Sequence, residues 1–319
     1  MKKIFLLIAG VMILLGEGEI RGAEKKAAFP QGPVNYVLGF APGGKTDTQA
    51  RAILPYVEKY LGVRIVIQNF PGAGGRIGFT KLFKAKPDGY TIGNLPLPAV
   101  ILGEHLASVE YRTTDFTPIH ACFVGPQILV VAENTFKSLD ELIKAGRSKP
   151  LTNSTPGMGT SPHLAALVMA NGLGLKDVKH VHFDSAAALA ALAGKHVDFS
   201  VAITTNALPL VRAGRLKALL VIGDERDKAF PQVPIPKELG YKITAIPGID
   251  GVAGPPNLPL ERVKILEKAF ARAAADQEFL SRAERAGMSI LPMDHQKYRL
   301  VVEDTIKEVE KYKDVLLQK

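Results

Sequence analysis

Two apolar, strand-like runs in the first third of the chain each stop at a glycine turn and resume as an amphipathic helix. Tyr36 to Phe40 leads into Ala41-Pro42-Gly43-Gly44-Lys45-Thr46-Asp47, and the helix Thr48 to Leu61 places Ala50, Ile53, Leu54, Val57 and Leu61 on one face. Arg64 to Gln68 leads into Pro71-Gly72-Ala73-Gly74-Gly75-Arg76 and a helix over Ile77 to Ala85. A third strand, Tyr90 to Leu95, follows the Pro87-Asp88-Gly89 turn. Strands joined by helices cannot form hairpins, so the β-α-β-α-β order predicts a parallel sheet with helices on both faces. Pro55 sits inside the first helix and is expected to kink it.

A second unit of the same kind begins near Phe123. Ile128 to Ala132 reads as a strand, followed by a helix from Ser138, with Glu141 completing a capping box, to Gly146. A third glycine turn, Asn153-Ser154-Thr155-Pro156-Gly157-Met158-Gly159-Thr160-Ser161, opens a helix at Pro162 with Ser161 as its N-cap. Strands are expected at Val178 to Phe183, His196 to Ile203 and Leu216 to Ile222, and helices at Ala186 to Ala193 and Leu208 to Ala213. Proline-rich passages follow, Phe230 to Pro236 and Pro247 to Pro259. The last sixty or so residues read as helical: Glu261 to Ala275, Glu278 to Ala286 and His295 to Leu317.

The N-terminus has a different character. Lys2 and Lys3 precede an apolar stretch, Ile4 to Leu15, too short to span a hydrocarbon core of about 30 Å. It reads as a signal peptide, residues 1–23 with the cleavage site anywhere from 18 to 28, and no Cys lies near it to carry a lipid. Roughly 295 residues then remain, a prior of two domains. The lone cysteine, Cys122, has no partner in the chain for a disulfide and lies in an apolar run, which reads as a buried thiol. The formal charge of +9 is scattered, without the basic blocks or interleaved aromatics of a nucleic-acid groove, and reads as mild steering toward small anions.

All three glycine turns bring backbone N–H groups to a helix N-terminus, where unpaired donors and partial positive charge suit an anion. In open α/β sheets ligands lie at the carboxyl ends of strands, which is where these turns fall. Residues 39 to 46 also match the P-loop pattern G-x-x-x-x-G-K-[ST]. A nucleotide-using enzyme would need a Walker B strand ending in Asp, and the acid-ended candidates lie in the wrong unit. Export also opposes it. Lys45→Ala is accordingly expected to weaken ligand binding only modestly, with Gly44 and Thr46 mattering more. His180 and His182 alternate onto one strand face, but no third ligand stands at motif spacing, so no metal or other cofactor is expected. His163 is expected to orient the third turn.

Several blocks in order carry a family resemblance: Gly39 to Asp47 with Arg51 behind it; Val66-Ile67-Gln68-Asn69-Phe70-Pro71-Gly72-Ala73-Gly74-Gly75-Arg76-Ile77-Gly78; Lys86-Pro87-Asp88-Gly89-Tyr90-Thr91; Gly194-Lys195-His196-Val197-Asp198; Arg212 to Leu219; and Pro231-Gln232-Val233-Pro234. The chain resembles the Bug-type extracytoplasmic solute receptors of tripartite tricarboxylate transporters. That resemblance implies an α/β periplasmic-binding-protein (Venus flytrap) fold, two doubly wound domains around a cleft. Domain 1 would combine 30–124 with 243–319, and domain 2 would span 125–242. It implies a small carboxylate held by Phe40, Ala41, Gly43, Gly44, Thr46, Asp47 and Gly74 on one wall. Ser154, Gly159, Thr160, Ser161, Asp184, Thr204 and Thr205 would form the other. Asp47 is expected to cap the helix or meet a ligand ammonium or hydroxyl, since two anions repel.

The chain departs from the family at His182-Phe183-Asp184-Ser185, where Pro-Tyr-Lys-Gly is frequent, and at Ile246 to Gly251, where a Trp-bearing return strand is usual. A plain dicarboxylate ligand is therefore in question. The function expected is a non-catalytic, monomeric periplasmic receptor that delivers an organic anion to membrane transporter subunits. A sensor docking on a signalling protein is the alternative, and a P-loop enzyme the remote one.

Overall fold

The computed structural model describes residues 29–183, 185–243 and 246–313. The expected signal segment, its cleavage site and Asp184 lie outside the described residues. The elements run β1 (Val34–Leu38), α1 (Lys45–Leu61), β2 (Ile65–Asn69), α2 (Arg76–Phe83), β3 (Thr91–Leu97), α3 (Ala99–Leu106), β4 (Thr117–Gly125) and β5 (Gln127–Ala132). Then come α4 (Leu139–Ser148), β6 (Leu151–Thr155), α5 (Ser161–Leu173), β7 (Val178–His182), α6 (Ser185–Ala193), β8 (Phe199–Ile203), α7 (Thr204–Arg212) and β9 (Leu216–Ile222). The chain closes with β10 (Gly248–Gly254), α8 (Leu260–Ala274), α9 (Gln277–Arg285), β11 (Ser289–Met293) and α10 (His295–Glu310).

The strands sort into two sheets, ordered β11-β4-β10-β3-β1-β2 and β7-β6-β8-β5-β9. The parallel arrangement expected from the helix crossovers holds for β1 with β2 and β3, and for β6 with β7 and β8. It fails for the rest. β10 runs antiparallel between β3 and β4, β11 antiparallel to β4, and β5 antiparallel to both its neighbours. The physical reason is the chain path. It leaves the first sheet through Gly125-Pro126-Gln127, directly from β4 into β5, and returns late as β10, so β5 and β10 enter their sheets from the cleft end without a helical crossover, and β11, reached from β10 through α8 and α9, keeps the direction of β10.

Both faces of each sheet are covered because strand side chains alternate. On β1, Tyr36 and Leu38 join Ile53, Leu54, Val57, Leu266 and Phe270 of α1 and α8, while Val37 joins Phe79, Leu82 and Tyr298 on the opposite face. On β5, Ile128 and Val130 pack with Leu189, Leu192 and Phe230, and Leu129 and Val131 pack with Leu142, Leu164 and Phe199. Two doubly wound units result.

Local differences from the sequence reading have local causes. α1 carries Pro55 inside one continuous helix, with the ring on its exposed face. α4 continues past Gly146 because that glycine packs inward, where an added Cβ would come within 2.8 Å of Leu175. Ser138 caps α4 as expected, yet Glu141 reaches back to the N–H of Lys137 at 2.7 Å, not to that of Ser138. Thr160, not Ser161, is the N-cap of α5. β11 occupies the gap between the second and third expected terminal helices, where the sequence reading placed no element.

Candidate ligand-binding cleft

Helix beginnings divide into two groups. α4, α9 and α10 start on Ser138, Asp276 and Asp294, whose side chains accept a first-turn N–H. α1, α2, α3, α5 and α7 start on Gly44, Gly75, Pro98, Thr160 and Ile203, and no side chain of these accepts a first-turn N–H. The Thr160 hydroxyl is turned to Gly157 O instead, at 2.8 Å. All five uncapped helices open on one cavity of about 680 Å³, through Gly44, Gly75, Ala99, Thr160 and Ile203. The cavity lies between the carboxyl ends of the parallel strands of the two sheets, and its two walls meet where Gly74 approaches Met158 O, 3.0 Å from an ideal Cβ. One further uncapped helix, α8, opens elsewhere, on a groove of about 740 Å³ between Phe83, Phe116 and Arg299 that none of the glycine turns reaches.

The first turn is rigid before any ligand arrives. Asp47, 2% exposed, accepts the Gly43 N–H at 2.9 Å, Arg51 Nε at 2.8 Å and Asn69 Nδ2 at 3.0 Å, and Asn69 also reaches Phe40 O. Burial by itself disfavours the carboxylate. The bonds from Arg51, Gly43 and Asn69, with the Arg51 charge, outweigh that and hold Asp47 below the usual carboxylate range. The second turn is pressed against the first, since an added Cβ on Gly39 would lie 2.7 Å from Gly75 O and one on Gly78 only 2.4 Å from the Gly39 Cα. These glycines permit backbone-to-backbone contact, which brings the ends of α1 and α2 together.

Of the residues expected to face a ligand, Phe40, Ala41, Gly43, Gly44, Thr46, Gly74, Thr160 and Ser161 line the cavity. Five others stand off it. Asp47 lies behind the turn. Ser154 is fully buried in β6, donating to Ala188 O at 2.9 Å. Gly159 faces Leu102 and Leu106 of α3 across the two units, Thr204 is buried at the start of α7, and Thr205 neighbours Gly287. The third turn begins later than its sequence suggests, because Asn153, Ser154 and Thr155 form a strand. His163 does hold that turn, accepting the Gly159 N–H at 3.3 Å.

His163 also meets the rings of His180 and His182 edge-on, each 5.0 Å between centroids. Their Nδ1 atoms are engaged by Asn153 and Thr155. Burial, then the neighbouring imidazoles, push His163 down to about 3, and burial followed by His182 pushes His180 down to about 4. Among the described residues no three His, Cys, Asp or Glu side chains are placed to share a metal ion. Cys122 is buried and its thiol is pushed up to about 12, the form of an inert core residue.

Two charged features of the cleft were not foreseen. Lys45 Nζ lies 2.5 Å from Asp250 Oδ2, with side chains 18% and 4% exposed. Asp250 reaches this place from β10, opposite Pro96 of β3. Around it stand Asn94, whose Nδ2 is 3.4 Å from Oδ1, and the buried phenols of Tyr36 and Tyr298. Both phenols are raised by burial first and by the Asp250 charge second. The other feature is Arg76, at the first position of α2, which lines the cavity and has no carboxylate within ion-pair distance among the described residues. An arginine at the start of a helix was visible in the sequence. Nothing local in the sequence joins Lys45 to Asp250.

The family model described as the tripartite tricarboxylate transporter family receptor matches residues 49–316, and the chain belongs to that family. It is 30% identical over 274 residues to a protein encoded in the tcbD-tcbE intergenic region of Pseudomonas sp. strain P51, covering 83% of this chain and 81% of that one. It superposes on MatC of Rhodopseudomonas palustris, solved with bound malate, at a TM-score of 0.78 with 29% identity, over 90% of this chain and all of that one. The periplasmic binding protein BugD matches at 0.78 with 27% identity, over 90% and 98% of the two chains. The chain is thus a Bug-type solute-binding receptor with a two-domain periplasmic-binding-protein fold. No helix among the described residues is long and apolar enough to cross a membrane.

Proposed function

We propose that this receptor captures a small organic carboxylate in the cleft and delivers it to a tripartite tricarboxylate-type membrane transporter, without catalysing a reaction. The supporting observation is the convergence of five uncapped helix N-termini on one cavity. Each leaves main-chain donors and partial positive charge facing the same space, the arrangement an anion requires. Residues 30–124 with 243–319 would be one domain and 125–242 the other. The contacting set would be Phe40, Ala41, Gly43, Gly44, Thr46 and Gly74 from the first, and Thr160 and Ser161 from the second, with Arg76 as the additional cationic partner. The malate bound to MatC supports a carboxylate as the ligand class. Export to the periplasm, with loss of the first 18 to 28 residues, belongs to the same reading.

A thermal-shift screen of the mature protein against carboxylates, aromatic acids and amino acids tests it. A carboxylate at about 100 times its Kd should stabilise by roughly 2.7 kcal/mol. Stabilisation by ATP with Mg²⁺ and by no organic anion would refute the receptor reading.

A further inference from the structure

Resting on that reading, we propose that the cleft prefers monocarboxylates with a bulky apolar body over short dicarboxylates, and that the Lys45–Asp250 pair sets the preference. Three charged side chains line the cavity among the described residues: Lys45, Arg76 and Asp250. The Lys45 ammonium is engaged with Asp250 at 2.5 Å, so the two cancel. Arg76 alone remains to balance a ligand, and one carboxylate suffices for it. The donors of α2 begin beside Arg76 and strengthen that single anchor.

A second carboxylate has two places to go, and both are unfavourable. One is the wall of Leu97, Met158, Phe183, Leu189, Val201 and Ile203, where an ionised group loses its hydration without a partner. The other is the floor, where Asp250 already holds the Lys45 ammonium and leaves no net positive charge to balance a second carboxylate. The same wall suits an aromatic ring or branched chain, and about 680 Å³ leaves much of the space empty around a four-carbon diacid.

Isothermal titration of the mature protein with phenylacetate, hexanoate, malate and adipate tests the ranking. Phenylacetate or hexanoate should bind at least about tenfold more tightly than either diacid. Asp250→Asn removes the floor charge at nearly constant shape, frees the Lys45 charge for ligand, and should narrow that ratio by about tenfold. Tighter binding of malate or adipate than of both monoacids by the natural protein overturns the inference, and does so whether or not the variant folds. An unchanged ratio in a folded Asp250→Asn protein overturns the role of the pair. Binding of diacids alone leaves the receptor reading standing, whereas binding of no carboxylate at all removes both.

Discussion

Replacing Lys45 by Met tests the energetics on which the cleft floor depends. At 2.5 Å and an effective dielectric constant near 20, the attraction between Lys45 and Asp250 is about 7 kcal/mol. Most of that is offset by several kcal/mol of desolvation for each ion, so the pair adds little net stability. Breaking it is a different matter. Asp250 would be left at 4% exposure with only the long contact to Asn94. Truncating one member of a buried pair costs about 3–5 kcal/mol, and since Lys45 retains 18% exposure the lower figure applies. For a chain of this size about 3 kcal/mol corresponds to a drop of roughly 6–12 °C in Tm. Circular-dichroism melts at pH 7 of Lys45→Met, Asp250→Asn and the double variant form a double-mutant cycle. The expected coupling is at least about 2 kcal/mol, with the double variant more stable than Lys45→Met alone. If Lys45→Met melts within about 0.5 kcal/mol of the natural protein, or the single costs simply add, the pair is not the buried interaction described.

Two further outcomes concern packing and pH. His163 and His120 are pushed by burial to about 3 and about 4, so between pH 6.5 and those values the unfolded chain binds the extra protons. Their contribution is complete above about 6.5 and lost as pH falls: going from pH 7 to 5 should cost about 2 kcal/mol for each, and His163→Gln should shrink that loss by a similar amount in denaturant titrations. A pH dependence equal to that of the natural protein would contradict neutral burial of His163. Gly251→Ala would place a methyl 2.2 Å from the fully buried ring of Tyr298 and should destabilise by about 1–3 kcal/mol in the same melts. An unchanged Tm would mean that α10 is not fixed on β10 as described.

The sequence made the outer frame of each unit readable because β1, β3, β5, β8 and β9 are largely apolar and buried on both faces, and the edge strand β2 opens on the apolar run Ile65-Val66-Ile67. The missed elements hide their burial in other ways. β6 reads Leu-Thr-Asn-Ser-Thr, a loop by composition, yet Asn153, Ser154 and Thr155 are fully buried because His180, Ala188 O and His182 supply their partners. Those partners come from β7 and α6, so no local pattern announces them. β10 reads Gly-Ile-Asp-Gly-Val-Ala-Gly, which resembles a turn more than a central strand. Its glycines serve distant neighbours: Gly251 admits Tyr298 of α10, and Gly248 admits Ser161 Oγ and Lys45 Nζ, at 2.8 and 3.4 Å from an ideal Cβ. α3 opens on the unbroken buried run Ala99-Val100-Ile101-Leu102-Gly103 and so shows no helical period. The glycine turns were legible because a helix N-terminus is a local object. Which turn residues face the cleft depends on two sheets meeting, so the sequence could not separate the eight expected residues that line the cavity from the five that stand off it.

The letter-perfect P-loop match at Gly39 to Thr46 shows how far a motif carries without its context. A nucleotide-binding loop needs its lysine free to reach phosphate and its glycine amides free to cradle it. Here Lys45 turns away to Asp250, and the Gly43 N–H is held by Asp47 of the same loop. What remains available are the N–H groups at the start of α1, beside the ends of α2 and α5, in a cavity lined largely by hydrocarbon. Two or three charged phosphates would meet one uncommitted arginine and a buried carboxylate there. A single carboxylate with an apolar body meets a donor cluster, one guanidinium and a matching wall. The same eight letters therefore describe an anion site whose capacity is set by Asp250, a residue that reaches the loop only through the return of β10.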